Sequence, residues 1–170
     1  AKSPKAAVMS KTLPLEEQVC FALYSASNAM MRLYRPLLQP FELTYPQYVV
    51  LLALWQQDDI SLGELSSKTL FDSGTLTPLV KKLEQKGWLK RLPSAQDERV
   101  KKVQLTPNGK QLEQQVSGVM AALRCQISLT DERMIQLRTL ARQVQQDIQL
   151  LEKCSLGKPR ILTWAKAGTT

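Results

Sequence analysis

Cys20 is one of three cysteines in a chain that contains no histidine. It heads a series, Cys20, Tyr24, Ser27, Met31 and Tyr34, with steps of four, three, four and three. That spacing puts all five side chains on one face of a helix. Phenol hydroxyls beside a sulfur donate hydrogen bonds that favour its thiolate, the form that attacks a peroxide. Glu16 and Glu17 lie one turn earlier, and their charge disfavours a second anion there. A small apolar filler is the competing reading of the same cysteine. The residues by themselves leave both readings open.

The other two cysteines, Cys125 and Cys154, are distant in sequence. An odd count with wide spacing is not a disulfide framework, and no C-x-x-C pair suggests zinc. No metal and no cofactor are expected, and the compartment implied is a reducing one. No apolar run approaches the ~20 residues of a membrane span. The early lysines are not followed by the apolar stretch of a signal peptide, so the expected location is the cytoplasm.

Charge singles out a second region. The chain of 170 residues carries a formal charge of +8, but residues 12–80 are net −4 and residues 81–102 are net +5. A basic patch confined to some twenty residues points to a polyanion, since each neutralised phosphate releases counterions. A solvated, lysine-rich surface is the plain alternative.

The elements that must hold these groups follow from periodicity. Leu15, Val19, Ala22, Ala26, Ala29 and Leu33 repeat by four and three, which predicts a first helix ended by Pro36 and Pro40. Thr44 is placed to cap a second helix carrying Tyr48, Leu51, Leu52 and Trp55. Ser61 and Glu64 have the spacing of a capping box that starts a short helix through Ser67. Asp72-Ser73-Gly74 reads as a turn and cap before a helix with Leu76, Leu79, Val80 and Leu83 inward and Gly87 as its stop. With Thr75 as the cap, Pro78 falls in the first turn, where N–H groups lack intrahelical partners. Two short helices around a tight turn make a helix-turn-helix.

Trp88–Leu92 and Val100–Leu105, separated by a polar turn, predict an exposed hairpin. Thr106-Pro107 opens a helix with Leu112, Val116, Val119 and Leu123. Thr130 begins a last one with Met134, Leu137, Ala141, Val144, Ile148 and Leu151 in register. Lone amphipathic end helices have nowhere to bury such seams, so a homodimer is expected.

On the helix before Gly87, the faces away from the core show Ser73, Thr75, Thr77, Pro78, Lys81 and Lys82. Hydroxyls, a small apolar group and lysines are the types that meet base edges and phosphates in a major groove. The hairpin adds Arg91, Arg99, Lys101 and Lys102, and an arginine at its tip suits a narrow minor groove. Asp97 stands two residues before Arg99, where it can hold that side chain in position.

The run Asp97-Glu98-Arg99-Val100-Lys101-Lys102-Val103-Gln104-Leu105-Thr106-Pro107-Asn108-Gly109 resembles the wing motif of the MarR family of winged-helix repressors. QVCFALYSASNAMMRLYRPLL, then LTYPQYVVLLALW and DSGTLTPLVKKLE, is similar to its organic-hydroperoxide-sensing OhrR branch. The resemblance covers residues 13–153. It implies a dimer that sets two recognition helices in successive major grooves of a pseudo-palindromic double-stranded operator. It further implies that Cys20 is the reactive thiol, with Tyr34 and Tyr45 hydrogen-bonding it across the dimer interface. Cys125 stands where the two-cysteine form of the branch carries the cysteine that closes an intersubunit disulfide. The inducer implied is an organic hydroperoxide; no role is expected for Cys154.

The fold class expected is mainly α with a small β-hairpin wing: a winged helix-turn-helix with N- and C-terminal dimerisation helices. Its parts would be a basic arm at 1–12, a dimerisation helix and connection at 13–43, and the DNA-binding domain at 44–106. Dimerisation helices at 107–153 and a basic tail at 154–170 complete it. The expected activity is regulatory, not enzymatic. Two rivals stand beside it: a repressor answering a small aromatic ligand between domains, and a thiol peroxidase turning over Cys20 and Cys125.

Overall fold

The computed structural model describes residues 12–94 and 100–154. The arm, Asp97 and Arg99 in the hairpin turn, and the tail from residue 155 lie outside the described residues. The chain divides into two compact units, residues 1–126 and 127–170.

In the first unit a 3-10 turn, Leu15–Glu17, precedes α1, Val19–Leu38. The helix therefore begins later than its apolar seam predicts. Gln18 takes extended backbone, and its side-chain amide donates to the Leu13 carbonyl at 3.0 Å, closing the turn before α1 starts. Pro36 does not end α1. It sits in the last turn, where its missing N–H forgoes a single bond, to the Arg32 carbonyl, and the helix runs on to Leu38. A 3-10 turn holding Pro40 follows, and Glu42 turns the chain with φ 53°.

Helix α2, Tyr45–Gln56, opens on a full capping box between Thr44 and Gln47. It is central to the unit: Tyr48, Val50, Leu51, Ala53 and Leu54 are all buried. Strand β1, Ile60–Ser61, leads into α3, Leu62–Thr69, where the Ser61–Glu64 capping box forms as expected and the helix continues two residues past Ser67. Helix α4, Ser73–Gln85, is capped by Asp72, whose carboxylate accepts the Thr75 N–H at 2.8 Å. The cap thus lies three residues before Thr75, and Pro78 stands in the second turn. There it costs the bond to the Gly74 carbonyl, close enough to the helix start for α4 to hold. Gly87, at φ 74°, supplies the left-handed residue that stops the helix.

Strands β2, Leu89–Pro93, and β3, Lys101–Leu105, pair antiparallel from Leu89↔Leu105 to Pro93↔Lys101. β1 joins the other edge of β3 through Ile60↔Val103, giving the order β1-β3-β2. Two residues are too few to show strand alternation, which is why β1 is silent in the sequence. The single helix expected after Pro107 is two: α5, Pro107–Val116, and α6, Gly118–Cys125. They part at Ser117, whose N–H and hydroxyl both turn back to the Gln114 carbonyl.

The Leu105–Gly109 segment ties these pieces together. Thr106 Oγ1 accepts the Gly109 N–H at 3.1 Å, and the Thr106 N–H donates to the Trp88 carbonyl at 3.1 Å. The indole N–H of Trp55 on α2 donates to the Gly109 carbonyl at 2.9 Å. A Cβ on Gly109 would lie 1.9 Å from the Trp88 oxygen, so the backbone comes this close only with glycine. Around this knot Leu51, Leu54, Ile60, Leu65, Leu76, Leu83, Leu89, Val103 and Leu112 form a closed core. Each contributes about 1.5–3 kcal/mol by burial.

The second unit is α7, Asp131–Cys154, with Asp131 and Glu132 in its first turn. Met134, Leu137, Ala141, Val144, Ile148 and Leu151 fall on one continuous helix, and Leu137, Val144, Ile148 and Leu151 are exposed. No helix among the described residues is long and apolar enough to cross a membrane.

Candidate functional site

Helix α4 turns Leu76, Val80 and Leu83 into the core and leaves Ser73, Thr75, Thr77, Pro78, Lys81 and Lys82 exposed. The Thr75 hydroxyl is held by the Asp72 carboxylate at 3.2 Å, which fixes its direction at the helix start. The exposed face is thus a row of short polar groups with lysines one turn further on. Lys101, on β3, is exposed as well.

Other cations of the basic segment have partners in the chain. Arg91 lies across Glu84 of α4: its Nε and a terminal nitrogen reach Oε2 at 2.8 and 2.7 Å, and its backbone N–H donates to Oε1 at 2.9 Å. The Arg91 side-chain and backbone hydrogen bonds hold the Glu84 carboxyl below the usual carboxylate range. Lys102 meets Asp59 at 3.1 Å, and Lys110 meets Asp58 at 3.4 Å. The Asp58 carboxylate also accepts the Leu105 N–H at 2.8 Å. These contacts pin the base of the hairpin to α4 and to the α2–β1 turn, so the wing's orientation relative to the recognition helix is fixed. Arg91, expected among the DNA contacts, is thus paired with Glu84, seven residues away across the Gly87 turn, and remains partly exposed. Glu84 carried no signal in the sequence, where it reads as one more exposed helix acid.

The thiol region is built on α1. Cys20 is the second residue of the helix and is exposed. The first intrahelical bond runs from the Ala22 N–H to the Gln18 carbonyl at 3.1 Å. The N–H groups before it lack helical acceptors. Tyr24 follows one turn on and is 67% exposed.

Tyr34 has the opposite surroundings. It is buried, and its ring centroid lies 4.5 Å from that of Tyr45 and 6.1 Å from that of Tyr48. Burial, and then the neighbouring phenols, push Tyr34 up to about 12; burial raises Tyr45 and Tyr48 too. All three rings stay protonated donors near neutral pH. The Tyr34 hydroxyl donates to the thioether of Met120, on α6, at 3.3 Å. That acceptor is 86 residues away in sequence, and no local pattern announces it.

The structure does not bring the predicted thiol residues together within one chain. Cys20 precedes Tyr34 by fourteen residues, about 21 Å along a helix axis. Within one chain Tyr34, with Tyr45 packed on it, therefore lies far from Cys20. Cys125 closes α6, five residues past Met120, and both Cys20 and Cys125 are free thiols. A disulfide needs Cα atoms within about 7 Å.

The sequence profile described as MarR family matches residues 43–101, from the end of α1's connection to the start of β3. The chain is 41% identical over 145 residues to the HTH-type transcriptional regulator TtmR of Methylorubrum extorquens, covering 82% of this chain and 74% of that one. It is 39% identical over 107 residues to the organic hydroperoxide resistance transcriptional regulator of Bacillus subtilis, covering 63% and 73%. The chain belongs to the MarR family. Among solved structures it resembles reduced AbfR bound to DNA, the Staphylococcus epidermidis protein, with a TM-score of 0.69 and 32% identity over 81% of this chain and 94% of that one. The helix-turn-helix of α3 and α4 with the β2–β3 wing is thus the winged helix of a MarR-type transcriptional regulator, and the Bacillus relative supports the OhrR branch of the family.

Proposed function

We propose that this MarR-family regulator is a homodimeric repressor that binds a pseudo-palindromic operator and releases it when an organic hydroperoxide oxidises Cys20. The observation that carries the reading is the separation of Cys20 from Tyr34 and Tyr45. The exposed thiol at the start of α1 and Tyr34 near its end, with Tyr45 of α2 packed on that ring, are too far apart to meet except between two copies. Exposed Val19, Phe21, Leu23 and Tyr24 on α1, and the exposed seam of α7, supply the apolar area such a pairing would cover.

On DNA, α4 would read a major groove with Ser73, Thr75, Thr77 and Pro78 while Lys81 and Lys82 meet phosphates. The wing would add Lys101 and, from its tip, Arg99 positioned by Asp97, with Arg91 holding the wing's base. The reduced AbfR structure on DNA supports this placement by likeness of fold. The phenols of Tyr34 and Tyr45 in one protomer, and Tyr24 beside the cysteine, would stabilise the Cys20 thiolate of the other.

In the chemical step the thiolate attacks the distal hydroperoxide oxygen. The O–O bond breaks, an alcohol leaves, and Cys20 becomes a sulfenic acid. The partner's Cys125 thiolate then attacks that sulfur, an S–S bond forms, and the oxygen departs as water after taking a proton. Bringing the two sulfurs within bonding distance moves the helices of the dimer, which alters the spacing of the two α4 helices and lowers operator affinity.

A gel-shift titration with and without cumene hydroperoxide, on wild type, Cys20→Ser and Cys125→Ser, tests the reading. Wild type should release operator DNA and form a reducible dimer band, whereas Cys20→Ser should do neither. Release by Cys20→Ser would sink the thiol mechanism. A second reading draws on an apolar groove of ≈280 Å³ between α1 and α6, lined by residues including Leu37, Phe41, Val119 and Ala122. It would suit a small aromatic ligand; release by such a compound from Cys20→Ser would favour it.

A further inference from the structure

We propose that Met120 is a second oxidation site for organic hydroperoxides, served by the Tyr34 phenol as proton donor. Met120 stands out among the described methionines. It is 51% exposed, whereas Met30, Met31 and Met134 are half-buried. Its sulfur is held 3.3 Å from a hydroxyl on a buried ring. A thioether sulfur has two lone pairs. The phenol occupies one, and the exposure of the side chain leaves the other open to an arriving oxidant.

The reaction needs nothing beyond the hydroperoxide. The Met120 sulfur attacks the distal oxygen, a sulfur–oxygen bond forms, and the O–O bond breaks with its electron pair on the alkoxide. The Tyr34 hydroxyl gives that alkoxide its proton and recovers the one carried by the transferred oxygen. Sulfoxide and alcohol are the products: sulfur is oxidised by two electrons and the peroxide reduced by two. Tyr34 is a protonated phenol near neutral pH and so holds the proton this step needs; burial, which raises it to about 12, makes it a weaker acid than a free phenol.

The product has a consequence for the first site. A sulfoxide oxygen is a far better acceptor than a thioether, and it would form beside the Tyr34 hydroxyl. Oxidised Met120 would capture the phenol that the proposed function assigns to the partner's Cys20 and leave that thiolate less supported. This second step rests on the proposed function; the oxidation of Met120 does not.

The full-length Cys20→Ser, Cys125→Ser chain is treated with cumene hydroperoxide and digested, and oxygen gain at each methionine is followed by mass spectrometry. Met120 should oxidise roughly ten-fold faster than Met30, Met31 or Met134, and adding Tyr34→Phe should remove most of that preference. The other methionines serve as internal references for folding in each variant. Equal rates at the four positions, or a preference unchanged by Tyr34→Phe, would overturn the proposal. With the reactive cysteines replaced, neither result bears on the thiol mechanism, whose own failure is read from operator release by Cys20→Ser.

Discussion

The winged region and the long helices differ in how far one chain completes them. From α2 to α5 most apolar side chains close on a single core, Leu70, Leu92 and Val100 excepted, the charged groups at the wing's base have partners, and helix starts are capped by their own residues. The first half of α1 and the seam of α7 show Val19, Phe21, Leu23, Val144, Ile148 and Leu151 to solvent. Local bonds set the reading surface. On the proposed function the sensing arrangement, by contrast, is half-built in one chain, with Cys20 at the start of α1 and Tyr34 near its end. On that proposal, pairing of two copies would be part of the chemistry and not merely of the architecture.

The contrast should break most visibly at the α7 seam. Ile148→Glu places a charge there, and in a symmetric pair the change acts twice. At about 1.5–3 kcal/mol per lost side-chain burial, the dimer should weaken by roughly 100-fold or more. Sedimentation velocity would show it, with the thermal transition of the winged region unmoved. A dimer of unchanged affinity would remove α7 from the interface. Gly109→Ala probes the other side. Its Cβ meets the Trp88 carbonyl at 1.9 Å, and the forced shift should cost about 3 kcal/mol of stability, measured by urea denaturation. Retained stability would mean that the knot between wing and α5 yields more easily than its close contacts imply.

A smaller effect tests the phenols where the two regions meet. Tyr34 is raised to about 12 from the ordinary 10.0, so the fold favours its protonated form. That contribution is whole below pH 10 and is lost as pH climbs toward 12, because the unfolded chain gives up the proton first. Wild type should lose stability across that window more steeply than Tyr34→Phe. Equal slopes in alkaline denaturation would show that the ring is better hydrated than its burial implies.

Most of the winged region was legible because its determinants are local. Ser61 and Glu64, Thr106 and Gly109, and Gly87 are fixed by a few bonds spanning three residues or by one φ angle. The misjudged details have local causes too: Gln18 delayed α1, Pro36 was absorbed in its final turn, and Asp72 displaced Thr75 as cap. What the sequence could not show lies in long separations. The Arg91–Glu84 pairing, the third strand through Ile60 and the Tyr34–Met120 contact depend on how elements pack. Periodicity marks which face of an element is inward, not what it meets there.

The capping boxes at Thr44–Gln47 and Ser61–Glu64 bear on the order of assembly. Each closes a loop of four residues, so its entropic cost is small and it needs no distant contact. Helices α2 and α3 can begin while the rest of a nascent chain is still unmade. The DNA-facing half would then mature alone; on the proposed function, the thiol would become competent only after a later, concentration-dependent meeting of two finished chains.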